Sequence, residues 1–184
     1  NKKLDFLKAS RGIAFIKSSN LKIEFNQLEA DEKNLTLAAK GNIKIYDLNN
    51  KLLIQSENIF LDRKNNILNS STKSTLDDEN NNSFQTEKFE YKINENILKI
   101  EKAKLKDFNN NNFIVELAYI NTISNKLIGK DVEINLNNLS FNKNNEPRMK
   151  GKSITYNNGN SEISKGVFTA CKKTDKCPPW QLSA

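Results

Sequence analysis

Histidine is absent from the 184 residues of this sequence. It is the commonest general base near neutral pH and a usual ligand of zinc and iron, so its absence removes Ser-His and Cys-His nucleophile pairs and most transition-metal sites. A carboxylate-only active site remains open, but no Asp/Glu pair stands out from the scattered acidic residues. We therefore expect a protein that is not an enzyme and that uses no metal or other cofactor.

Long apolar runs are also missing, and no stretch approaches the roughly eighteen residues that a membrane-spanning helix needs. Arginine is scarce in a chain whose formal net charge is +7, since Arg11, Arg63 and Arg148 are its only arginines. Lysines supply the remaining positive charge and are spread along the whole length, whereas recognition of guanine and phosphate favours arginine. We expect no nucleic-acid partner.

Short clusters of Asn and Asp are what the sequence does contain, at intervals of about fifteen residues. Asp31–Asn34, Arg63–Asn66 and Asn94–Asn96 belong to one set, and Asp47–Asn50 and Asp107–Asn112 to a second set that falls between them. Both residue types favour turns because their side chains bond to the nearby backbone and tolerate left-handed geometry. The clusters predict strands of roughly ten to twelve residues, in out-and-back repeats of about thirty residues.

Between the turns, apolar and polar residues alternate with a period of two. Leu35, Leu37 and Ala39 form one apolar stripe, which Ile43 and Ile45 continue. Two further stripes are Phe113, Val115, Leu117, Tyr119 and Val132, Ile134, Leu136. This pattern predicts antiparallel strands with a single buried face.

In several strands the apolar phase slips by one residue near the middle. Ile23 and Phe25, for example, are followed by Leu28 and Ala30. A β-bulge inserts one residue, restores the same face after it and bends the strand. Aligned bulges predict long bent strands that line two facing sheets, and simple irregularity in the core is the alternative interpretation.

The last nineteen residues, GVFTACKKTDKCPPWQLSA, hold both cysteines, the single tryptophan and two of the three prolines. The spacing of Cys171 and Cys177 differs from the redox motif C-x-x-C, and two cysteines without histidine make half a zinc site at best. A rigid Pro-Pro pair followed by tryptophan suits a junction between two domains.

This ending resembles the segment that joins the periplasmic domain to the barrel in the LPS-assembly protein LptD family. The resemblance lies in the strand GVFTAC, a short polar linker, a second cysteine and Pro-Pro-Trp-Gln. Upstream, LEADEKNLTLAAKGNIKIYD (Leu28–Asp47) is similar to the OstA-like unit that LptD shares with LptA and LptC. The resemblance implies an all-β fold, an antiparallel β-jellyroll (OstA/LptA-like) of long bent strands in two facing sheets with an apolar groove between them.

The resemblance also implies a division of the chain and a function. Residues 1–170 would form the periplasmic jellyroll, and residues 171–184 a linker to an outer-membrane barrel that this sequence lacks. The domain would lie at the periplasmic face of the Gram-negative outer membrane and bind the acyl chains of lipopolysaccharide. It would receive lipopolysaccharide from an LptA-type bridge by edge-strand addition and pass it to the barrel, which an LptE-type lipoprotein plugs.

For the lipid groove we predict the large residues of the apolar stripes; a closed core filled by the same residues is the alternative interpretation. They are Phe25, Leu37, Ile45, Leu61, Phe89, Tyr91, Ile100, Phe113, Val115, Tyr119, Ile134 and Phe141.

For the tail, the resemblance implies a disulfide between Cys171 and Cys177, or pairing of these cysteines with cysteines of the barrel. The C-x5-C spacing is wider than in many relatives, which leaves the partners open. Pro178, Pro179 and Trp180 would hold the two domains in a fixed relation.

Two other interpretations stay open on the sequence. One is a structural β-solenoid or adhesin segment that binds no ligand, since a stack of repeats needs no groove. The other is a free-standing LptA-like bridge protein, which the Cys/Pro/Trp ending disfavours.

Overall fold

Almost all regular structure in this protein is β-strand. The computed structural model describes residues 5–79, 82–107, 109–137, 145–157, 160–172 and 174, and the backbone of residues 182–183. One turn of 3-10 helix, Lys17–Ser19, follows the first strand. Within these residues, no helix has the length and apolar character needed to cross a bilayer.

The described residues form fifteen strands. They are β1 (Phe6–Ile16), β2 (Leu21–Asp31), β3 (Thr36–Asp47), β4 (Leu52–Asp62), β5 (Ile67–Ser70), β6 (Ser74–Asp77), β7 (Ser83–Thr86), β8 (Lys88–Lys92), β9 (Ile97–Lys106), β10 (Asn112–Asn121), β11 (Leu127–Asn135), β12 (Arg148–Asn157), β13 (Asn160–Ser164), β14 (Val167–Thr169) and β15 (Leu182–Ser183).

The strands form one continuous antiparallel sheet in the order β1-β2-β3-β4-β5-β8-β9-β10-β11-β12-β14-β15. β4 and β9 are unbroken, whereas the strands between them are interrupted. β5 and β8 occupy one half of the space between β4 and β9, and β6 and β7 occupy the other half. β13 pairs with β12, and β15 pairs with β14, so the sheet extends past residue 170 into the predicted linker.

A line of breaks in strand pairing, which we call bulges, crosses the sheet near the middle of each long strand. The register shifts at this line between β2, β3 and β4, whereas in the other strand pairs one residue of each strand is left unpaired and the register is unchanged. At Glu57, for example, one residue of β4 lies opposite both Gly41 and Asn42 of β3. Ile23 and Phe25 before the bend and Leu28 and Ala30 after it are all buried, as the phase slip predicts. The unpaired residues along this line are Arg11, Asn26, Gly41, Asn42, Glu57, Lys102, Glu116, Asp131 and Lys152.

The bends fold the sheet into two facing half-sheets, which confirms the predicted all-β antiparallel jellyroll of long bent strands. The turns therefore lie in two rows that meet along a seam. Rim 1 comprises the turns 17–20 and 47–51 and the described residues of 78–82 and 107–111, and rim 2 comprises the turns 31–35, 62–66, 92–96 and 121–125.

Asp and Asn side chains build the turns, as their clustering predicts. In the turn 31–35, Oδ1 of Asp31 accepts hydrogen bonds from the backbone N–H groups of Lys33 and Asn34, at 3.0 and 2.9 Å. These bonds hold the pKa of Asp31 below its usual value, with the largest effect from Asn34. The last residue of each rim-2 turn is left-handed, with φ between 54 and 55° at Leu35, Asn66, Asn96 and Asn125.

The N-terminal end of the sheet has a free edge. β1 pairs with β2 along one side, and no described strand pairs with its other side. Three of its four inward residues, Ala9, Gly12 and Ala14, are small, and a Cβ on Gly12 would lie 3.2 Å from Cζ of Phe25. Its exposed residues include large apolar side chains, namely Phe6, Leu7, Ile13 and Phe15.

Candidate functional site

An apolar cavity of about 540 Å³ lies between the two half-sheets in the C-terminal part of the molecule. Because the long strands are bent, β9 and β10 contribute to both sides of the cavity. The rim-1 side comprises β7 and the adjoining parts of β9 and β10, and the rim-2 side comprises the other parts of β9 and β10 together with β11 and β12. Asp78, Asn82, Asp107, Ser124 and Asn125 lie at its rims. The apolar and aromatic lining residues are Phe84, Ile100, Leu105, Phe113, Val115, Ile120, Leu127, Ile154 and Tyr156.

A second cavity, of about 300 Å³, continues the first toward the C-terminal edge. Asp107, Phe113 and Tyr156 line both cavities, so the two are neighbours along the inside of the sheet. The remaining apolar lining residues of the second cavity are Ile134, Leu136, Met149 and Ile163.

The strand alternation positions these side chains. Phe113 and Val115 face inward in β10, and the bulge at Glu116 then shifts the phase so that Ala118 and Ile120 face inward after it. At Gly129 a Cβ would come within 2.8 Å of Cγ1 of Val115, so this position requires a residue without a side chain.

The predicted groove residues divide into two groups. Ile100, Phe113, Val115 and Ile134 line the cavities. Phe25, Leu37, Ile45, Leu61, Phe89 and Tyr91 are buried in the packed core and line neither cavity. Phe141 lies outside the described residues.

The prediction for Tyr119 is wrong. Its side chain is 45% exposed and lies on the outer face of β10, opposite Ile128 of β11. The alternation from Phe113 would place Tyr119 inside, but the bulge leaves Glu116 and Asp131 unpaired and reverses the phase.

Several cavity residues were not predicted as site residues. Phe84 and Leu105 alternate with polar neighbours in β7 and β9, but nothing in the alternation distinguishes the open part of the molecule from the packed part. Ile120 could have been predicted. The regular spacing of the bulges places one near Glu116, and Ile120 faces inward after it. The others are Leu127, Leu136, Met149, Ile154, Tyr156 and Ile163.

A partly buried polar cluster, which we name the seam clasp, joins the rims beside the cavity, and its Asp47 and Tyr91 are fully buried. It consists of Asp47, Asn50, Tyr91, Asn96 and Thr122. The Tyr91 hydroxyl donates to Oδ2 of Asp47 at 2.6 Å, and Nδ2 of Asn50 donates to the Tyr91 oxygen at 2.8 Å and to Oδ1 of Asn96 at 3.1 Å. Burial, followed by the bond to Asp47, raises the pKa of Tyr91.

In the tail, Cys171 is half-buried beside Thr169, whose Oγ1 lies 2.8 Å from Sγ of Cys171. The Arg148 guanidinium donates to the carbonyl of Cys171. Cys177, Pro178, Pro179 and Trp180 lie outside the described residues, so the disulfide and the linker stay predictions. Nowhere in the described part of the chain do three or more acidic or cysteine side chains form a group that could hold a metal ion.

No protein-family model and no curated protein sequence matches this chain. Among solved structures, it is similar to LptH of Pseudomonas aeruginosa, the LptA-homologous periplasmic component of the lipopolysaccharide transport device. The TM-score is 0.53 at 13% sequence identity, and the match covers 58% of this chain and 79% of LptH. The fold is an LptA-like β-jellyroll. At this level of sequence identity, the similarity is one of fold.

Proposed function

We propose that this chain is a periplasmic lipopolysaccharide-binding conduit domain of an LptD-like outer-membrane translocon. The observation that carries the proposal is the apolar cavity of about 540 Å³ between the half-sheets. Ligand pockets commonly measure about 300–1,000 Å³. Each buried methylene group contributes about 0.8 kcal/mol, so lipid acyl chains suit this lining.

The free edge of β1 supports the proposed partner. An eleven-residue strand that pairs on one side only, among the strands that the structure describes, offers backbone donors and acceptors to an added strand. Phe6, Ile13 and Phe15 supply exposed apolar surface beside that edge. An LptA-type bridge would add its strand here, and the chain beyond Ala184 would lead to a barrel with its LptE-type lipoprotein at the outer membrane.

A free-standing LptA-like bridge is the second candidate, favoured by the likeness to LptH over 79% of that protein. Peptide mapping under non-reducing conditions on the full-length protein separates the two candidates. A disulfide from Cys171 or Cys177 to a cysteine of a downstream barrel supports the LptD-like domain. A chain that ends soon after residue 184 supports the bridge.

Photocrosslinking to lipopolysaccharide tests the binding function. A photoreactive residue replaces Phe113 or Ile120, which line the cavity, and in matched controls it replaces their neighbours Ile114 and Tyr119, which are exposed on the outer face. We expect crosslinks from the two inner positions and none from the outer pair. Folded variants that crosslink at neither inner position would contradict the proposal and favour a structural module without ligand.

A further inference from the structure

A polar depression of about 460 Å³ lies on the outer surface of the sheet, at the bend of its central strands. It shares no lining residue with either apolar cavity. We infer that this depression, which we name the crease pocket, is a second binding site and takes a phosphorylated sugar. The inference does not rest on the proposed function, because the crease pocket and the apolar cavities lie on opposite faces of the sheet.

The crease pocket lies where the sheet is interrupted. Between the unbroken strands β4 and β9, residues 71–73 separate β5 from β6, and Glu87 separates β7 from β8. Buried hydroxyl groups of Ser56, Ser74 and Thr86 line the pocket beside this interruption. Oγ of Ser74 donates to Oγ of Ser56 at 3.0 Å. Because this bond is shielded from water, it holds the base of the pocket in place before any ligand binds.

A single row of side chains crosses the floor of the crease pocket. Residues that lie directly opposite one another in five neighbouring strands form this row. They are Lys44 of β3, Gln55 of β4, Thr75 of β6, Gln85 of β7 and Lys104 of β9. Neighbouring strands lie about 4.8 Å apart, so the row spans roughly 19 Å. Amide and hydroxyl groups therefore occupy its middle, and one ammonium group lies at each end.

The charge of the crease pocket is positive. Four lysines and two glutamates line it, which gives a net charge of +2 at neutral pH. Lys102 pairs with Glu87 at 3.7 Å. Lys44, Lys73 and Lys104 pair with none of the carboxylates that the structure describes. The ammonium groups of these three lysines are therefore available to an anionic ligand.

These groups fit a phosphorylated sugar better than a bare phosphate ion or a lipid surface. Ammonium groups bind phosphate, and the Gln and Thr side chains of the floor donate to and accept from sugar hydroxyls. A volume of about 460 Å³ lies within the usual range for small-molecule pockets, so it has room for a sugar beside the phosphate. Among the described residues, none of the large exposed apolar side chains lines the pocket, whereas binding to a bilayer surface uses such side chains.

An NMR titration tests the crease pocket. The side-chain NH₂ groups of Gln55 and Gln85 lie on its floor and give signals in nitrogen–proton correlation spectra. Glucose 6-phosphate, inorganic phosphate and glucose are added to the protein in separate titrations. We expect glucose 6-phosphate to shift both glutamine signals until they saturate. We expect inorganic phosphate and glucose each to bind at least about fivefold more weakly, because each lacks one half of the contacts.

Charge variants test the role of the lysines. The pocket variant carries Lys44→Gln and Lys104→Gln, and the matched control carries Lys130→Gln and Lys152→Gln, which lie outside the pocket. We expect the Kd for glucose 6-phosphate to rise at least about fivefold in the pocket variant and less than about twofold in the control. Glu57→Gln should lower the Kd, because it removes a carboxylate that repels phosphate. All five side chains are exposed, so these substitutions leave the core intact.

Four results would overturn the inference. Signals of Gln55 and Gln85 that respond to no probe would exclude a site at the floor. Equal affinity for inorganic phosphate and glucose 6-phosphate would show that the sugar makes no contact. Equal weakening in the pocket variant and its control would show that the overall charge of the protein attracts the ligand. A response of both signals to vesicles of phosphatidylglycerol, without a response to glucose 6-phosphate, would assign the pocket to a lipid surface.

Discussion

At the scale of single residues, Tyr91 combines a fully buried ring with a hydroxyl that donates to a buried carboxylate. Replacing Tyr91 with Phe leaves Asp47 without this donor. We expect Tyr91→Phe to lower the free energy of unfolding by about 1–3 kcal/mol in urea titrations. Tyr119→Phe is the control because Tyr119 is exposed, and its effect should stay within about 0.5 kcal/mol. Equal effects of the two substitutions would contradict a structural role for the clasp.

The same residue predicts a dependence on alkaline pH. The pKa of Tyr91 is raised by burial and by Asp47, so the folded protein holds this proton more tightly than the unfolded chain. The stabilisation is fully present below the ordinary tyrosine pKa of about 10, and it is lost as pH rises beyond that value toward the folded pKa. We expect native stability to fall more steeply than that of Tyr91→Phe above about pH 10. Parallel losses in the two proteins would show that Tyr91 does not titrate in this way.

At the scale of elements, the rim-2 turns share one left-handed position, and Leu35 occupies it where the other three turns have Asn. Leucine is strained in this conformation and asparagine tolerates it. We expect Leu35→Asn to raise the free energy of unfolding by roughly 1 kcal/mol. Leu48→Asn is the matched control, because Leu48 is an exposed turn residue without positive φ. A gain of equal size in the control would point to surface polarity as the cause.

The elements were largely predictable from the sequence because their signals are local. Asn and Asp clusters fixed the turns through bonds such as those of Asp31, and alternation identified inward residues such as Ile45 and Leu61. The prediction placed Tyr119 on the inner face because no unusual residue marks the bulge at Glu116. The sequence there reads as one unbroken apolar stripe.

At the scale of the whole molecule, packing between the half-sheets is uneven: Ile23, Ile45 and Leu61 of the N-terminal half have no exposed surface, whereas the C-terminal half holds the apolar cavity. We expect Leu127→Trp, in the cavity wall, to leave the free energy of unfolding unchanged or raised, because the larger ring fills empty space. Leu61→Trp, in the filled half, should cost about 1–3 kcal/mol through overpacking. Similar losses at both positions in chemical denaturation would contradict an open cavity.

This unevenness could not be predicted from the sequence. Phe25 and Phe113 belong to equivalent apolar stripes, yet Phe25 is buried under β1 while Phe113 lines two cavities. The difference depends on the distance between half-sheets, which residues far apart in the chain determine together. Alternation reports which face a residue is on and carries no information about that distance.

The regular spacing of the bulges has a consequence for how the length of this protein can change in evolution. Unpaired residues such as Arg11, Asn26 and Gly41 recur about every fifteen positions, so each out-and-back pair of strands brings its own bend and turns. Duplication or deletion of about thirty codons would thus add or remove one complete pair and leave both ends of the stack as they were. A gene of this kind can change the length of its product in whole steps without a new fold having to arise.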